Sequence, residues 1–145
     1  MTMVKSGLSG LPVEVAMQTR FTALRVDEPL WRAAEEILEG TQHDFPVLDE
    51  SGRVAGLLRR DTLLEALARG GRNDLVGTFM QPCMPSVEVG TMLEPALAKL
   101  RDNGAPALPV THAGKLVGLL TAENVGEFLM IQSALRGQVP RRVAV

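Results

Sequence analysis

Apolar residues follow two alternating rhythms along this chain, and the whole arrangement is written twice. Leu30, Ala33, Ala34, Ile37 and Leu38 fall at i, i+3, i+4, i+7 and i+8, the spacing that puts them on one face of a helix. Asp27 stands where it can cap that helix, and Pro29 lies near the first turn, where a backbone N–H has no intrahelical partner to lose. Gly40 ends it. Residues 22–26 predict a short strand before this helix, and Phe45–Leu48 and 53–58 predict two more after it. Between those two, Asp49-Glu50-Ser51-Gly52 is a turn signal, so the pair reads as a hairpin. Leu63, Leu64 and Leu67 then give a second helix its apolar face, and Gly70-Gly71 stops it.

The second rendering begins about 63 positions later. Val13, Met17, Gln18, Val26, Leu30, Ala33, Pro46 and Val47 recur as Val76, Met80, Gln81, Val89, Leu93, Ala96, Pro109 and Val110. Past a one-residue deletion in a turn the offset is 62, and Gly52, Gly56, Leu57 and Leu58 recur as Gly114, Gly118, Leu119 and Leu120. The predicted elements follow suit: a strand at 86–89, a helix on Leu93, Ala96, Leu97 and Leu100, strands at 107–111 and Lys115–Leu120, and a last helix over Ala122–Leu135. That last helix carries Phe128-Leu129-Met130-Ile131, apolar on more than one side, so it must bury more than one face, within this chain or against a partner.

A unit of about 60 residues buries little apolar surface alone. The fold class is therefore α+β, two βαββα repeats packed about a pseudo-two-fold axis with a cleft between them. The divisions are an extension at 1–10, repeat one at 11–71, repeat two at 72–137 and a tail at 138–145. Function belongs in the cleft.

Composition narrows the candidates. The 145 residues suit one shared core built mostly from Leu, Val and Ala, since aromatics are 3% and tyrosine is absent. A net charge of -2 and so little stacking surface argue against nucleic acid as a partner. One cysteine, Cys83, forms no internal disulfide, which fits a reducing, cytoplasmic setting. No apolar run reaches the roughly 20 residues of a membrane helix, and residues 1–8 lack a signal-peptide core.

The doubled order resembles the cystathionine-beta-synthase-type (CBS) domain pair, or Bateman module, over residues 11–137. The residues that carry the resemblance are Val13-Glu14-Val15-Ala16-Met17 and Val76-Gly77-Thr78-Phe79-Met80, Phe45-Pro46-Val47 and Leu108-Pro109-Val110, and Gly56-Leu57-Leu58 and Gly118-Leu119-Leu120. It implies a non-catalytic regulatory module with no required cofactor, sensing an adenine nucleotide or S-adenosylmethionine between the repeats, and forming a homodimer. AMP, ADP and ATP are all open as ligands.

In that family a glycine-hydrophobic-x-Thr/Ser-x-x-Asp/Asn motif ends the last strand and opens the following helix. The hydroxyl caps the helix or bonds phosphate, and the acidic or amide residue meets the ribose. Gly118, Thr121 and Asn124 match it in the second repeat. The first repeat has Gly56, Arg59 and Thr62 instead, with Asp61 one residue early, so its site is degenerate. Arg59 or Arg60 reaches a phosphate there or is a solvated surface charge. Ser86, where the first repeat has Ala23, supplies a hydroxyl the family places toward the cleft, and Leu108 and Pro109 lie where it reads adenine partly by backbone groups. The bland readings are that Thr121 only caps its helix and Pro109 only starts a strand.

A narrower resemblance lies in Gln42-His43-Asp44-Phe45-Pro46-Val47 and in the stretch from Leu120 to Met130. These look like the cytoplasmic CBS tails of bacterial site-2-type intramembrane zinc proteases, which implies an attached or docked membrane protease domain. The His-Glu-x-x-His metal motif of such an enzyme does not occur here. His43 and His112 occupy non-equivalent positions, and no phosphate loop, dinucleotide fingerprint or nucleophile elbow is present, so catalysis and metal binding within the chain are not expected. Two functional readings remain: a nucleotide sensor acting through Thr121 and Asn124, and a structural dimerisation or docking module that binds no nucleotide.

Overall fold

A computed structural model describes residues 10–82 and 84–136. Cys83, most of the expected extension, Gly137 and the expected tail lie outside the described residues. A single turn of 3-10 helix, Val13–Val15, is followed by β1 (Leu24–Arg25), α1 (Leu30–Glu39), β2 (Phe45–Leu48), β3 (Val54–Leu58) and α2 (Arg60–Ala68). Then come α3 (Val76–Phe79), β4 (Gln81–Pro82), β5 (Val87–Glu88), α4 (Leu93–Asp102), β6 (Leu108–His112), β7 (Lys115–Leu120) and α5 (Ala122–Leu135). One sheet has the order β1-β2-β3-β4 and the other β5-β6-β7. In each, a parallel pair leads into an antiparallel hairpin, with Leu24 opposite Val47 and Val87 opposite Val110.

Each repeat is completed by the segment that opens the other. Val13 and Ala16 are buried in the core of the second repeat with Leu93, Leu108, Leu120 and Val125, while Val76 is buried in the first with Leu24, Leu30, Phe45 and Leu63. The hydrogen bonds are reciprocal to the residue. Val13 N–H donates to Thr91 O and Val76 N–H to Glu28 O, both at 2.8 Å, and Leu93 N–H donates to Leu11 O as Leu30 N–H does to Asp74 O. Gln18 pairs with Leu119 as Gln81 pairs with Leu57. In each of these pairs equivalent positions 63 or 62 apart exchange roles, which is what a pseudo-two-fold axis requires. Leu57 and Leu119, themselves equivalent, meet on that axis in a small buried cluster with Ala107, packed by Phe21 and Met84.

This exchange explains the repeated glycines. A Cβ placed on Gly56 would lie 2.5 Å from the Gln81 carbonyl oxygen and 2.9 Å from Met80 Sδ. One placed on Gly118 would run into Met17 Sδ and lie 2.9 Å from its Cγ. The opposite opening segment fills the side-chain space at both glycines, with its backbone and methionine at Gly56 and with its methionine at Gly118.

Two local expectations change. The leading strands are two residues long; before the first of them, the Thr22 backbone N–H and C=O bond the Gln42 side chain (2.7 and 2.9 Å) rather than a neighbouring strand. Asp27 does not cap α1. The N-cap is Pro29, and the first free N–H groups, of Leu30 and Trp31, donate to Asp74 O and Arg72 O of the inter-repeat linker. Helix α5 turns Val125, Phe128 and Leu129 toward the second core but leaves Met130, Ile131 and Leu135 exposed, at 73%, 59% and 82%.

Candidate functional site

A cleft of about 490 Å3 opens between the repeats. Its apolar floor is Ala107, Leu119 and Pro106, continuous with the cluster on the pseudo-two-fold axis. One wall is the loop at 41–44 before β2, and the other is the start of α5, with Thr121, Ala122, Glu123, Asn124 and Glu127. The position of Gln18 at one margin follows from its two backbone bonds to Leu119 (2.8 and 3.0 Å).

The loop wall is held from behind. Gln42 uses its whole amide: Oε1 accepts from Thr22 N–H, and Nε2 donates to Thr22 O and Asp44 O. Thr22 Oγ1 in turn donates to Glu36 Oε1 on α1 (3.0 Å), and Arg32 donates to the other Glu36 oxygen. The bond from Arg32, with that from Thr22, holds the Glu36 carboxyl below its ordinary pKa. A loop that would otherwise be loose is thereby fixed to α1, so its cleft-facing side is preorganised.

The opposite wall is a helix start. Thr121 is the N-cap of α5, its Oγ1 accepting from Asn124 N–H at 3.0 Å and donating to Asn124 Oδ1 at 2.8 Å. In the first repeat Arg59 takes the place of Thr121 and makes no side-chain cap. The cap comes instead from Asp44, whose Oδ1 accepts from Arg60 N–H at 3.1 Å. Asp44 is the counterpart of Ala107, so the two substitutions between repeats compensate: a carboxylate on the strand side replaces a hydroxyl on the helix.

Of the residues singled out from sequence, Thr121 and Asn124 line the cleft. Gly118, Leu108 and Pro109 are buried and do not line it: Gly118 packs on Met17, and the Leu108 side chain lies in the second core. Ser86 is half-buried beside β5, its carbonyl accepting from Lys99 Nζ at 2.9 Å. Arg59 faces Asp61 (Nε to Oδ1, 3.8 Å), and neither Arg59 nor Arg60 lines the cleft. Thr62 lines a smaller cavity of about 230 Å3 between α2 and α3. Sequence reasoning did not anticipate Thr41, Gln42, Asp44, Ala107, Glu123 and Glu127 as lining residues. The signal for the loop was available: under a pseudo-two-fold axis, the residues before one hairpin must face the end of the other.

Charge in the cleft is one-sided. Asp44, Glu123 and Glu127 line it, no described lining residue is Lys or Arg, and His43 brings the sole ionisable nitrogen among them. No cluster of three or more His, Cys, Asp or Glu able to hold a metal occurs among the described residues.

Two reciprocally completed repeats around a shared cleft define a paired-repeat module of the regulatory class. Matches to the CBS domain model at residues 13–69 and 76–130 cover most of the chain, which belongs to the CBS domain family as a tandem pair. It is 29% identical over 158 residues to the chloroplastic CBS domain-containing protein CBSX1 of Arabidopsis thaliana, covering 86% of this chain and 67% of that one. The crystal structure of the CBS-pair protein CBSX2 from Arabidopsis thaliana superposes with a TM-score of 0.74 at 27% identity, over 88% of this chain and 96% of CBSX2. A structure of CBSX2 in complex with AMP gives a TM-score of 0.71 at 26% identity, covering 90% and 100%.

Proposed function

We propose that this module senses an adenosine-containing ligand in the inter-repeat cleft, and that occupation biases the arrangement of the two repeats. The observation that carries the reading is that the cleft is shared: the loop at 41–44 comes from one repeat and Thr121, Asn124 and the floor at Ala107 from the other. A ligand touching both walls has different affinity for open and closed arrangements, the condition for a ligand to shift a conformational equilibrium. The cleft volume falls within the range of small-molecule sites, and the AMP complex of CBSX2 supports adenosine as the shared chemistry.

The test is calorimetric titration of the chain with adenosine, AMP and S-adenosylmethionine, alongside Asn124→Ala. That substitution removes the side-chain amide but keeps the backbone N–H that Thr121 caps, so the helix stays capped while affinity falls about tenfold or more, the loss of one or two hydrogen bonds. Full affinity in Asn124→Ala would reject the site.

A second reading, a self-associating structural module, is favoured by the exposed Met130, Ile131 and Leu135 on α5. Under it, Met130→Glu converts a dimer to a monomer in light-scattering chromatography; a chain that is already monomeric removes it. Attachment to a membrane protease domain rests on two sequence stretches alone, and one of them has a local explanation: Gln42 is required to hold the loop to Thr22. Co-purification of the full-length parent's membrane fraction with this module would test that attachment.

A further inference from the structure

We infer that the cleft is a charge filter: Asp44, Glu123 and Glu127 make it favour adenosine derivatives whose 5′ end is neutral or cationic over nucleoside polyphosphates. This rests on the sensor reading above and adds the chemical class of ligand. Binding an anionic phosphate needs either cationic side chains or helix-start N–H groups free to donate. The described lining residues include no Lys or Arg. Arg59, which the sequence offered as a phosphate partner, lies outside the cleft lining and faces Asp61 at 3.8 Å.

The helix starts carry acidic groups as well. The Arg60 N–H at the head of α2 already donates to Asp44, and Asp61 sits in that first turn. At the head of α5 the Asn124 N–H donates to Thr121 Oγ1, and Glu123 places a carboxylate in the first turn, where it complements the helix dipole. Both positions where a phosphate could gain from a dipole therefore carry an acidic group of this chain. The three carboxylates instead offer opposite charge to an ammonium or sulfonium centre, while Ala107 and Leu119 supply an apolar floor for a base.

A carboxylate and a phosphate charge about 8 Å apart, at an effective dielectric of roughly 60, weaken binding about threefold per pair. Several such pairs make ATP about tenfold or more weaker than adenosine, with the gap narrowing as salt rises. The experiment titrates adenosine, S-adenosylmethionine, AMP and ATP into the wild-type chain and into Glu123→Gln/Glu127→Gln, at low and near-physiological salt. Both substituted residues are exposed, and an unchanged melting curve checks that the variant is folded. Expected are the wild-type order S-adenosylmethionine and adenosine tighter than AMP, AMP tighter than ATP, and a drop of about tenfold in the ratio of ATP to adenosine dissociation constants in the variant. Wild-type binding of ATP as tight as adenosine, or a ratio the variant does not move, overturns the charge filter and leaves the sensor reading standing. Failure of all four compounds to bind overturns both.

Discussion

Replacing Gly56 by alanine probes the exchange of opening segments directly. The new methyl carbon would sit 2.5 Å from the Gln81 carbonyl oxygen and 3.1 Å from Met80 Cγ. A comfortable carbon–oxygen contact is about 3.3 Å, so β4 must retreat by about 0.8 Å or β3 must twist away. Because β4 is only Gln81–Pro82, held through Gly56 and Leu57, such a shift weakens most of its pairing. Overpacking of this kind costs about 1–3 kcal/mol, and loosened backbone hydrogen bonds add about 1 kcal/mol. We expect about 3 kcal/mol in urea unfolding, or roughly 6–12 °C in melting temperature at this chain length.

Gly118→Ala is the internal control. The three atoms nearest its methyl group all belong to the Met17 side chain, and an unbranched, flexible thioether can swing aside, so about 1 kcal/mol is expected there. Adding Met17→Ala should then relieve Gly118→Ala, whereas Met80→Ala should relieve Gly56→Ala only in part, because the Gln81 carbonyl remains. Equal losses in the two single variants, or a larger loss at Gly118, would refute the account.

Two further outcomes follow from single side chains. Asp44→Ala removes the acceptor for Arg60 N–H; the loss should be about 1 kcal/mol, as for other helix caps, visible as about 2–4 °C in calorimetry, and an unshifted melt would show that the cap contributes nothing. Acid should also destabilise the chain. The Thr111 hydroxyl and Ala113 N–H hold the Glu88 carboxyl below its ordinary value near 4.5, and Arg32 with Thr22 does the same for Glu36. A lowered folded pKa contributes stability that is fully present above the ordinary value and is lost as pH falls through the lowered one. Melting temperature should thus fall below about pH 4.5, less steeply in Glu36→Gln and Glu88→Gln; a melting temperature that rises on acidification would contradict the sign.

The compensated pair at the two helix starts bears on how such modules diverge. Thr121 caps its own helix, whereas Arg59 cannot and Asp44 does so from the neighbouring strand. The first repeat looks damaged when its motif is read along the chain. In space its helix start is satisfied, and the carboxylate that satisfies it also faces the cleft of the other repeat. The residue that restores the lost cap thus also contributes one of the three carboxylates of the cleft.

Much of this was legible from the order of residues. Periodicity at 30–38 and 93–100, turn signals at Gly52 and Gly114, and the 63-residue repeat are local or self-referential patterns, and they predicted the hairpins, four of the helices and the paired architecture. Thr121 and Asn124 were legible too, because a helix cap is encoded within four consecutive residues. Other features depend on residues far apart in the chain. Gly56 and Gly118 belong to a recognisable motif, yet what crowds them is the Gln81 carbonyl with Met80 at the first and Met17 at the second, which only the crossing of the opening segments brings there. Asp27 had the chemistry of a cap, but the carbonyls of Arg72 and Asp74 reached the helix start instead. The acidic character of the cleft belongs to neither repeat, since Asp44 comes from one and Glu123 and Glu127 from the other. Hydrophobic pattern dictates which faces must be buried, and packing about the axis decides which polar groups the buried faces carry together.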